Sequence, residues 1–248
     1  MKITRILNLI TFLIVVTINA LANALPINGL NTGEISDQFN ALFTPAGYVF
    51  SIWGVIYLAL GAFAVYQILP QQNNNQRVKQ IGPWFIISNV FNSLWILAWH
   101  YQQFILSFFI MIGILVSLLV LYIRLGVGIR KSPPVERWLV ETPFSIYLGW
   151  ISVATIANAS VVLITLNWGQ FGLSAAVWTA VMISIAGLLG ILMSFLRREI
   201  AYSLVLIWAI IGITQNGSGV QLVNIVSWIV VGLLVVGLVL SRLMKKTA

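Results

Sequence analysis

Long apolar stretches separated by short polar connections repeat along the whole chain. A helix needs about 20 consecutive apolar residues to cross the hydrocarbon core of a bilayer. Eight stretches approach that length, and the seventh is the shortest. They cover residues 4–24, 47–69, 82–99, 104–125, 138–166, 171–196, 200–215 and 220–243. The pattern therefore predicts an all-α polytopic membrane protein with about eight spans.

The basic residues occupy alternate connections between these stretches. All 13 lie before the first predicted span or in its first turn, or they lie in the last turn of the second, fourth, sixth or eighth span or in the segment that follows it. They are Lys2, Arg5, Arg77, Lys79, Arg124, Arg130, Lys131, Arg137, Arg197, Arg198, Arg242, Lys245 and Lys246. Because cytoplasmic loops keep Lys and Arg, we expect both termini in the cytoplasm. The connection at 25–46 is then the one long segment on the outer face, and it is long enough to act as a cover.

The first span also resembles a secretory signal. Lys2 and Arg5 precede an apolar run that ends in Ala22-Asn23-Ala24, which matches an A-x-A cleavage site. The run is long for the apolar region of a signal peptide, so an uncleaved helix is favoured. Cleavage would leave seven spans without changing the side of any other loop.

Composition narrows the class of protein. Of the 248 residues, 60% are hydrophobic and only 7% are charged, against roughly 25% charged in an ordinary soluble domain. The net charge of +8 does not indicate nucleic acid as a partner, because such binding needs basic residues gathered on one solvated face. The absence of cysteine excludes disulfides and thiolate metal sites.

Aromatic and polar residues share one face in three of the predicted spans. They recur three or four residues apart, a spacing that aligns side chains on a helix. The three stripes are Phe50, Trp53, Tyr57 and Gly61; Ser88, Asn92, Trp95 and Trp99; and Tyr147, Trp150, Ala154 and Asn158. At a rise of about 1.5 Å per residue, Trp53, Trp95 and Asn158 lie about 8–12 Å from the outer ends of their spans. Two interpretations remain open at this stage: a ligand cavity, or an interfacial aromatic belt with asparagines that join helices.

Groups suited to catalysis are scarce in the spans. Acid–base catalysis needs a positioned titratable side chain, yet Glu141 and Glu199 lie near cytoplasmic ends and the other carboxylates are in loops. His100, the single histidine, lies at the outer end of the third span. It is a candidate haem ligand, although a polar end cap is favoured. We therefore predict no enzyme, no metal site and no resident cofactor.

Three motifs in order resemble the TspO/MBR family, the tryptophan-rich sensory proteins related to the translocator protein or peripheral benzodiazepine receptor. The first is FTPAGYVF at 43–50, followed by Trp53, Tyr57 and Gly61. The second is NSLW at 92–95, and the third is WISVATIAN at 150–158. The likeness covers residues 1–167, so residues 168–248 form a three-helix membrane extension that makes the chain a long form.

The resemblance implies a five-helix bundle, often dimeric, in a bacterial inner membrane. It also implies a pocket in the outer half of the bilayer, capped by the loop after the first helix, for porphyrins and other flat hydrophobic ligands. The implied ligand-binding residues are Tyr48, Phe50, Trp53, Tyr57, Asn92, Trp95, Trp150 and Asn158. Pro45 and Gly47 would shape the loop junction.

The chain departs from the family pattern near the first motif. Ala46 stands where the family has its second proline, and Tyr48 stands where it has a tryptophan. One residue is missing between Phe50 and Trp53, which alters the helix phase between loop and pocket. No tyrosine followed by a basic residue comes after Asn158 in the fifth span, so sterol binding is not supported.

Together these features predict a membrane-embedded sensor, carrier or regulator of tetrapyrrole-like compounds. Membrane lipid and a hydrophobic small molecule are its expected partners, and a tetrapyrrole is expected as a ligand. Two alternatives belong to other classes: a small secondary transporter for a polar solute, and a structural membrane subunit that docks through its C-terminal helices.

Overall fold

Eight long helices account for most of the computed structural model, which describes residues 2–25, 27–216 and 219–244. They are α1 (Lys2–Ala24), α2 (Ile52–Ile68), α3 (Trp84–His100), α4 (Phe104–Leu125), α5 (Thr142–Thr165), α6 (Ala175–Leu196), α7 (Ala201–Thr214) and α8 (Gln221–Leu243). These described ranges contain no β-strand, so the predicted all-α class is confirmed. Lys245 and Lys246, which the charge pattern places in the cytoplasm, lie outside the described residues.

Six helical segments within the described residues are long and apolar enough to cross a bilayer. They contain α1, α2, α4, α5, α6 and α8. The other two are shorter, with 17 residues in α3 and 14 in α7. At about 1.5 Å per residue they extend about 26 Å and 21 Å, against a hydrocarbon core of about 30 Å. Helix α3 packs along α1 and α4, which are both long enough to cross, so it lies among the spanning helices. The protein is therefore a multi-pass integral membrane protein.

The helices pack as one bundle with a second layer beside it. Helix α3 lies between α1 and α4, α4 packs on α5, and α2 contacts α1 and α5. Helix α7 packs on α5 and joins it to the pair formed by α6 and α8. The C-terminal helices are thus attached to the bundle through α7.

Helix α1 is an integral part of this bundle. Phe12 and Val15 are buried in the core, and Asn8 Nδ2 donates a 2.9 Å hydrogen bond to Gln67 Oε1 on α2. Near the cytoplasmic end, the Arg5 guanidinium donates to the Gln72 carbonyl at 2.6 Å. Cleavage as a signal peptide would remove all of these contacts.

Small residues bring α6 and α8 close together. A Cβ atom at Gly187 would lie 2.4 Å from Val230 Cγ1, and one at Gly190 would lie 2.5 Å from Leu234 Cδ2. Close helix packing of this kind is the usual role of small residues in membrane helices. Ser184 of α6 is exposed on a shallow apolar groove instead.

The connections predicted to be cytoplasmic are held together by ion pairs. Arg77, in the connection between α2 and α3, pairs with Glu136 at 3.1 Å and also with Glu141. Ser132 donates a further hydrogen bond to Glu141. Because the side chains of Arg77, Glu136 and Glu141 are mostly buried, these ion pairs hold the two connections against each other.

Candidate functional site

The long outer loop contains a short helix that covers the bundle. This helix, Thr32–Asp37, begins with a capping box at Asn31. Asn31 Oδ1 accepts hydrogen bonds of 3.0 Å from the backbone N–H groups of Gly33 and Glu34, and Glu34 Oε2 accepts one of 2.7 Å from the Asn31 N–H. Satisfying these N–H groups stabilises a helix too short to persist alone.

Two residues at the end of α3 hold this cover in place. Trp99 Nε1 donates to the Thr32 carbonyl at 3.2 Å. His100 is fully buried, with Nδ1 at 3.1 Å from the Ile27 carbonyl and Nε2 at 3.1 Å from Thr32 Oγ1. A carbonyl only accepts, so Nδ1 carries a proton, and Nε2 shares the second hydrogen bond with the Thr32 hydroxyl. Both ring nitrogens of His100 are therefore engaged within the protein, and neither is free for a haem iron while the loop is closed.

A cavity of about 30 Å³ lies beneath the cover, between α2, α3 and α5. Its lining consists of Thr32, Ser36, Pro45, Phe50, Trp53, Trp95, Trp99, Trp150, Val153, Ala154, Ala157 and Asn158. Ligand pockets usually enclose about 300–1,000 Å³. The rings therefore fill the space that a flat ligand would need, and such a ligand enters only if they separate.

Aromatic rings meet edge to face inside this cavity. The Trp150 ring centroid lies 5.8 Å from Phe50 and 6.2 Å from Trp53, each with an interplanar angle of 82°. Trp95 and Trp99 are stacked at 5.5 Å. Trp150 is only 2% exposed, and its indole N–H has no hydrogen-bond partner among the described residues. An unpaired buried donor costs about 1–3 kcal/mol, so an acceptor brought by a ligand would be stabilising here.

Asn158 and Asn92 form hydrogen bonds between helices. Asn158 Oδ1 accepts from Trp95 Nε1 at 3.1 Å, and its Nδ2 donates to Ser107 Oγ at 3.0 Å, which joins α5 to α3 and α4. Asn92 Nδ2 donates to the Tyr147 hydroxyl at 2.6 Å, and its Oδ1 accepts from Asn19 at 3.0 Å. Asn158 also lines the cavity, whereas Asn92 does not.

The structure does not bring every residue of the predicted set to the cavity. Pro45, Phe50, Trp53, Trp95, Trp150 and Asn158 line it. Tyr57 stacks on Trp53 at 5.4 Å and lines a neighbouring cleft, as Gly47 does. Tyr48 points to the extension, where its ring meets Trp208 edge to face at 5.3 Å.

Helix α7 of the extension supports the loop junction beside the cavity. The Ala46 N–H donates to the Gly212 carbonyl at 3.0 Å, and Trp208 Nε1 donates to the Val49 carbonyl at 3.3 Å. A Cβ atom at Gly212 would lie 2.2 Å from Val49 Cγ2. No local pattern in α7 signals this contact.

The cytoplasmic end holds a carboxyl group with a perturbed pKa. Burial raises the pKa of Glu199, while hydrogen bonds from the Ala201 N–H and Ser145 Oγ partly oppose that shift. These bonds measure 2.9 Å and 3.0 Å. Within the described ranges, no three histidine, aspartate or glutamate side chains gather where they could hold a metal ion.

The fold and this site define a multi-pass helical membrane protein with a tryptophan-lined cavity under an outer loop. A family model described as TSPO-like protein matches residues 5–240. The chain belongs to this family, and the resemblance inferred from its three motifs is confirmed. The match runs through both predicted segments, 1–167 and 168–248. No curated protein and no solved structure matches the chain significantly.

Proposed function

We propose that the protein binds flat hydrophobic ligands such as porphyrins within the membrane and acts as a sensor, carrier or regulator, not as an enzyme. The observation that carries this proposal is the cavity lined by Phe50 and four tryptophans. Indole and phenyl faces bind flat conjugated rings through large apolar contact areas. The unpaired N–H of Trp150 supplies one polar group to orient such a ligand.

Ligand entry requires the cover to loosen, because the cavity holds only about 30 Å³. The Thr32 carbonyl accepts from Trp99, the Thr32 hydroxyl is hydrogen-bonded to His100, and Thr32 also lines the cavity. Displacing the short helix would therefore break the contacts at the end of α3 and open the cavity in one movement. Binding energy from the aromatic rings would offset the loss of those hydrogen bonds.

The placement of charge favours a binding protein over a transporter. Transporters place ion and substrate sites near the bilayer midplane. Within the described parts of the eight helices, Arg5, Arg124 and Arg242 lie in first or last turns, and helix ends lie far from the midplane. We assign the cover to the outer face of a bacterial inner membrane because the basic residues gather at the opposite end. A homodimer is part of this proposal, and native mass spectrometry of the detergent-solubilised protein tests it.

A titration with protoporphyrin IX tests the proposed ligand class. The Soret absorbance of the porphyrin reports binding without depending on protein fluorescence. We expect saturable micromolar binding to the parent protein and about tenfold weaker binding to Trp150→Phe, since the variant loses one buried hydrogen bond.

Trp228→Phe is the matched control, because Trp228 is 54% exposed on α8, away from the cavity. Its affinity should equal that of the parent protein. No saturable binding, or equal loss in both variants, would contradict the proposed function.

A further inference from the structure

An open cleft of about 640 Å³ lies beside the closed cavity, between α1 and the start of α2. Phe50, Trp53 and Thr32 line both spaces, so the two aromatic rings form the wall between them. The cleft has the volume of an ordinary ligand site, whereas the cavity does not. A molecule can thus occupy the cleft without any rearrangement of the cover.

The polar groups at the floor of this cleft offer a hydrogen-bond acceptor. Asn19 lines the cleft and is only 5% exposed. Its Nδ2 donates to the Val15 carbonyl at 2.9 Å and to Asn92 Oδ1 at 3.0 Å, which uses both amide protons. Its Oδ1 accepts no hydrogen bond within the part of the chain that the structure describes. Asn19 Oδ1 is therefore a hydrogen-bond acceptor at the floor of the cleft for which the described residues supply no donor.

The rim adds two negative charges to this acceptor. Glu34 and Asp37 line the cleft and are exposed. Glu34 uses one carboxylate oxygen in the capping box, which leaves the other for a ligand. The outer connections contain these two carboxylates and no lysine or arginine. Every charge near the cleft therefore attracts a cation.

The apolar side of the cleft suits the same class of ligand. Trp53 and Tyr57 are stacked at 5.4 Å with an interplanar angle of 19°, and both line the cleft. Aromatic rings attract ammonium groups through their quadrupoles and also bind apolar bodies. We propose that the cleft between α1 and α2 binds an ammonium group joined to a flat apolar body, with Asn19, Glu34 and Asp37 as acceptors.

Three pyrene probes test this assignment on the full chain in detergent. 1-Pyrenemethylammonium, 1-pyrenecarboxylate and neutral 1-pyrenemethanol share one flat body and differ in charge. We expect the ammonium probe to bind most tightly. Asp37→Asn and Glu34→Gln should each weaken its binding about threefold, as for exposed ion pairs, and the preference should decline with added salt.

Matched controls separate the effect of charge on probe binding from any effect of the substitutions on folding. Glutamine preserves the capping interaction at position 34, Asp37→Glu should retain parent affinity, and the neutral probe should bind all variants equally. Equal affinities for the ammonium and carboxylate probes, or a preference that survives in Asp37→Asn/Glu34→Gln, would overturn the proposal.

Two further arms identify the source of the ammonium group and separate this site from the proposed porphyrin cavity. Probe affinity is compared in nanodiscs of phosphatidylethanolamine and of phosphatidylglycerol. If a lipid headgroup is the natural occupant, phosphatidylethanolamine should displace the probe and lower its apparent affinity. If the occupant is a small molecule, the probe should have the same affinity in both kinds of nanodisc. Ammonium preference without porphyrin binding would contradict only the proposed function; porphyrin binding without ammonium preference would contradict only this inference.

Discussion

Substituting Gly212 by alanine tests whether the extension supports the cavity wall. The added Cβ would lie 2.2 Å from Val49 Cγ2 and 3.2 Å from Pro45 Cβ. Ordinary carbon contacts are about 3.5–4.0 Å, so either Val49 must leave its rotamer or α7 and the loop junction must separate. Overpacking of this kind costs about 1–3 kcal/mol, while alanine gains about 1 kcal/mol over glycine in a helix. We expect a net loss of about 0–2 kcal/mol.

Gly232→Ala on α8 supplies the control, because nothing lies within 4 Å of a Cβ atom at that position. This variant should gain the stability that alanine adds over glycine in a helix, without the steric clash. Thermal unfolding of both purified variants in the same detergent then isolates the clash as the difference between them. Because Val49 adjoins Phe50, Gly212→Ala should also weaken porphyrin binding. A melting temperature for Gly212→Ala equal to or above that of Gly232→Ala would refute the supporting role.

Three other substitutions test separate parts of the account. His100→Ala removes two hydrogen bonds from the cover, so amide hydrogen exchange at 31–37, measured by mass spectrometry, should become about tenfold faster or more. Unchanged exchange would show that His100 does not hold the cover closed. Asn92→Ala removes links from α3 to α1 and α5, and unfolding in graded dodecyl sulfate should show a loss of about 1–2 kcal/mol, with Asn74→Ala, at an exposed position without a positive φ, as a neutral control. Burial raises the pKa of Glu199, so the native state binds a proton more readily than the unfolded carboxyl, whose pKa is about 4.3. Stability should therefore fall as pH rises above that value and through the raised pKa, and Glu199→Gln should flatten this slope in melting temperatures measured from pH 4 to pH 8, roughly; a parallel profile would contradict it.

The bilayer explains why the helices could be predicted from the sequence. Each crossing demands a long apolar run, and the 3.6-residue period then fixes which side chains share a face. Trp53, Trp95, Trp150 and Asn158 were found in this way, and they meet at the cavity. Trp99, which lies on the same predicted stripe, joins them there.

Tyr48, which the family resemblance and not the periodicity assigned to the pocket, packs elsewhere. The prediction treated residues from 47 onward as α-helix, but Gly47–Ser51 forms a 3₁₀-helix. A 3₁₀-helix has 3.0 residues per turn, so the faces before and after Ser51 are out of phase. Tyr48 consequently packs on Trp208 of α7, a residue far away in the sequence.

Long-range contacts account for the rest of what the sequence did not reveal. Periodicity places Asn92 on an inward face, but it does not say whether the partner is a ligand or a neighbouring helix. The positions of Thr32 over the cavity and of Gly212 against the loop junction depend on how distant segments fold together. No local spacing encodes such pairings.

A cavity-filling pair on α5 tests the central claim most directly. Ala157 lines the cavity, whereas Ala159, two residues further along the same helix, does not. Leucine at 157 would occupy the space that a ligand needs, and leucine at 159 adds the same volume elsewhere. The protoporphyrin IX titration should show at least about tenfold weaker binding for Ala157→Leu and near-parent affinity for Ala159→Leu. Equal affinities in the two folded variants would contradict the assignment of the ligand to this cavity.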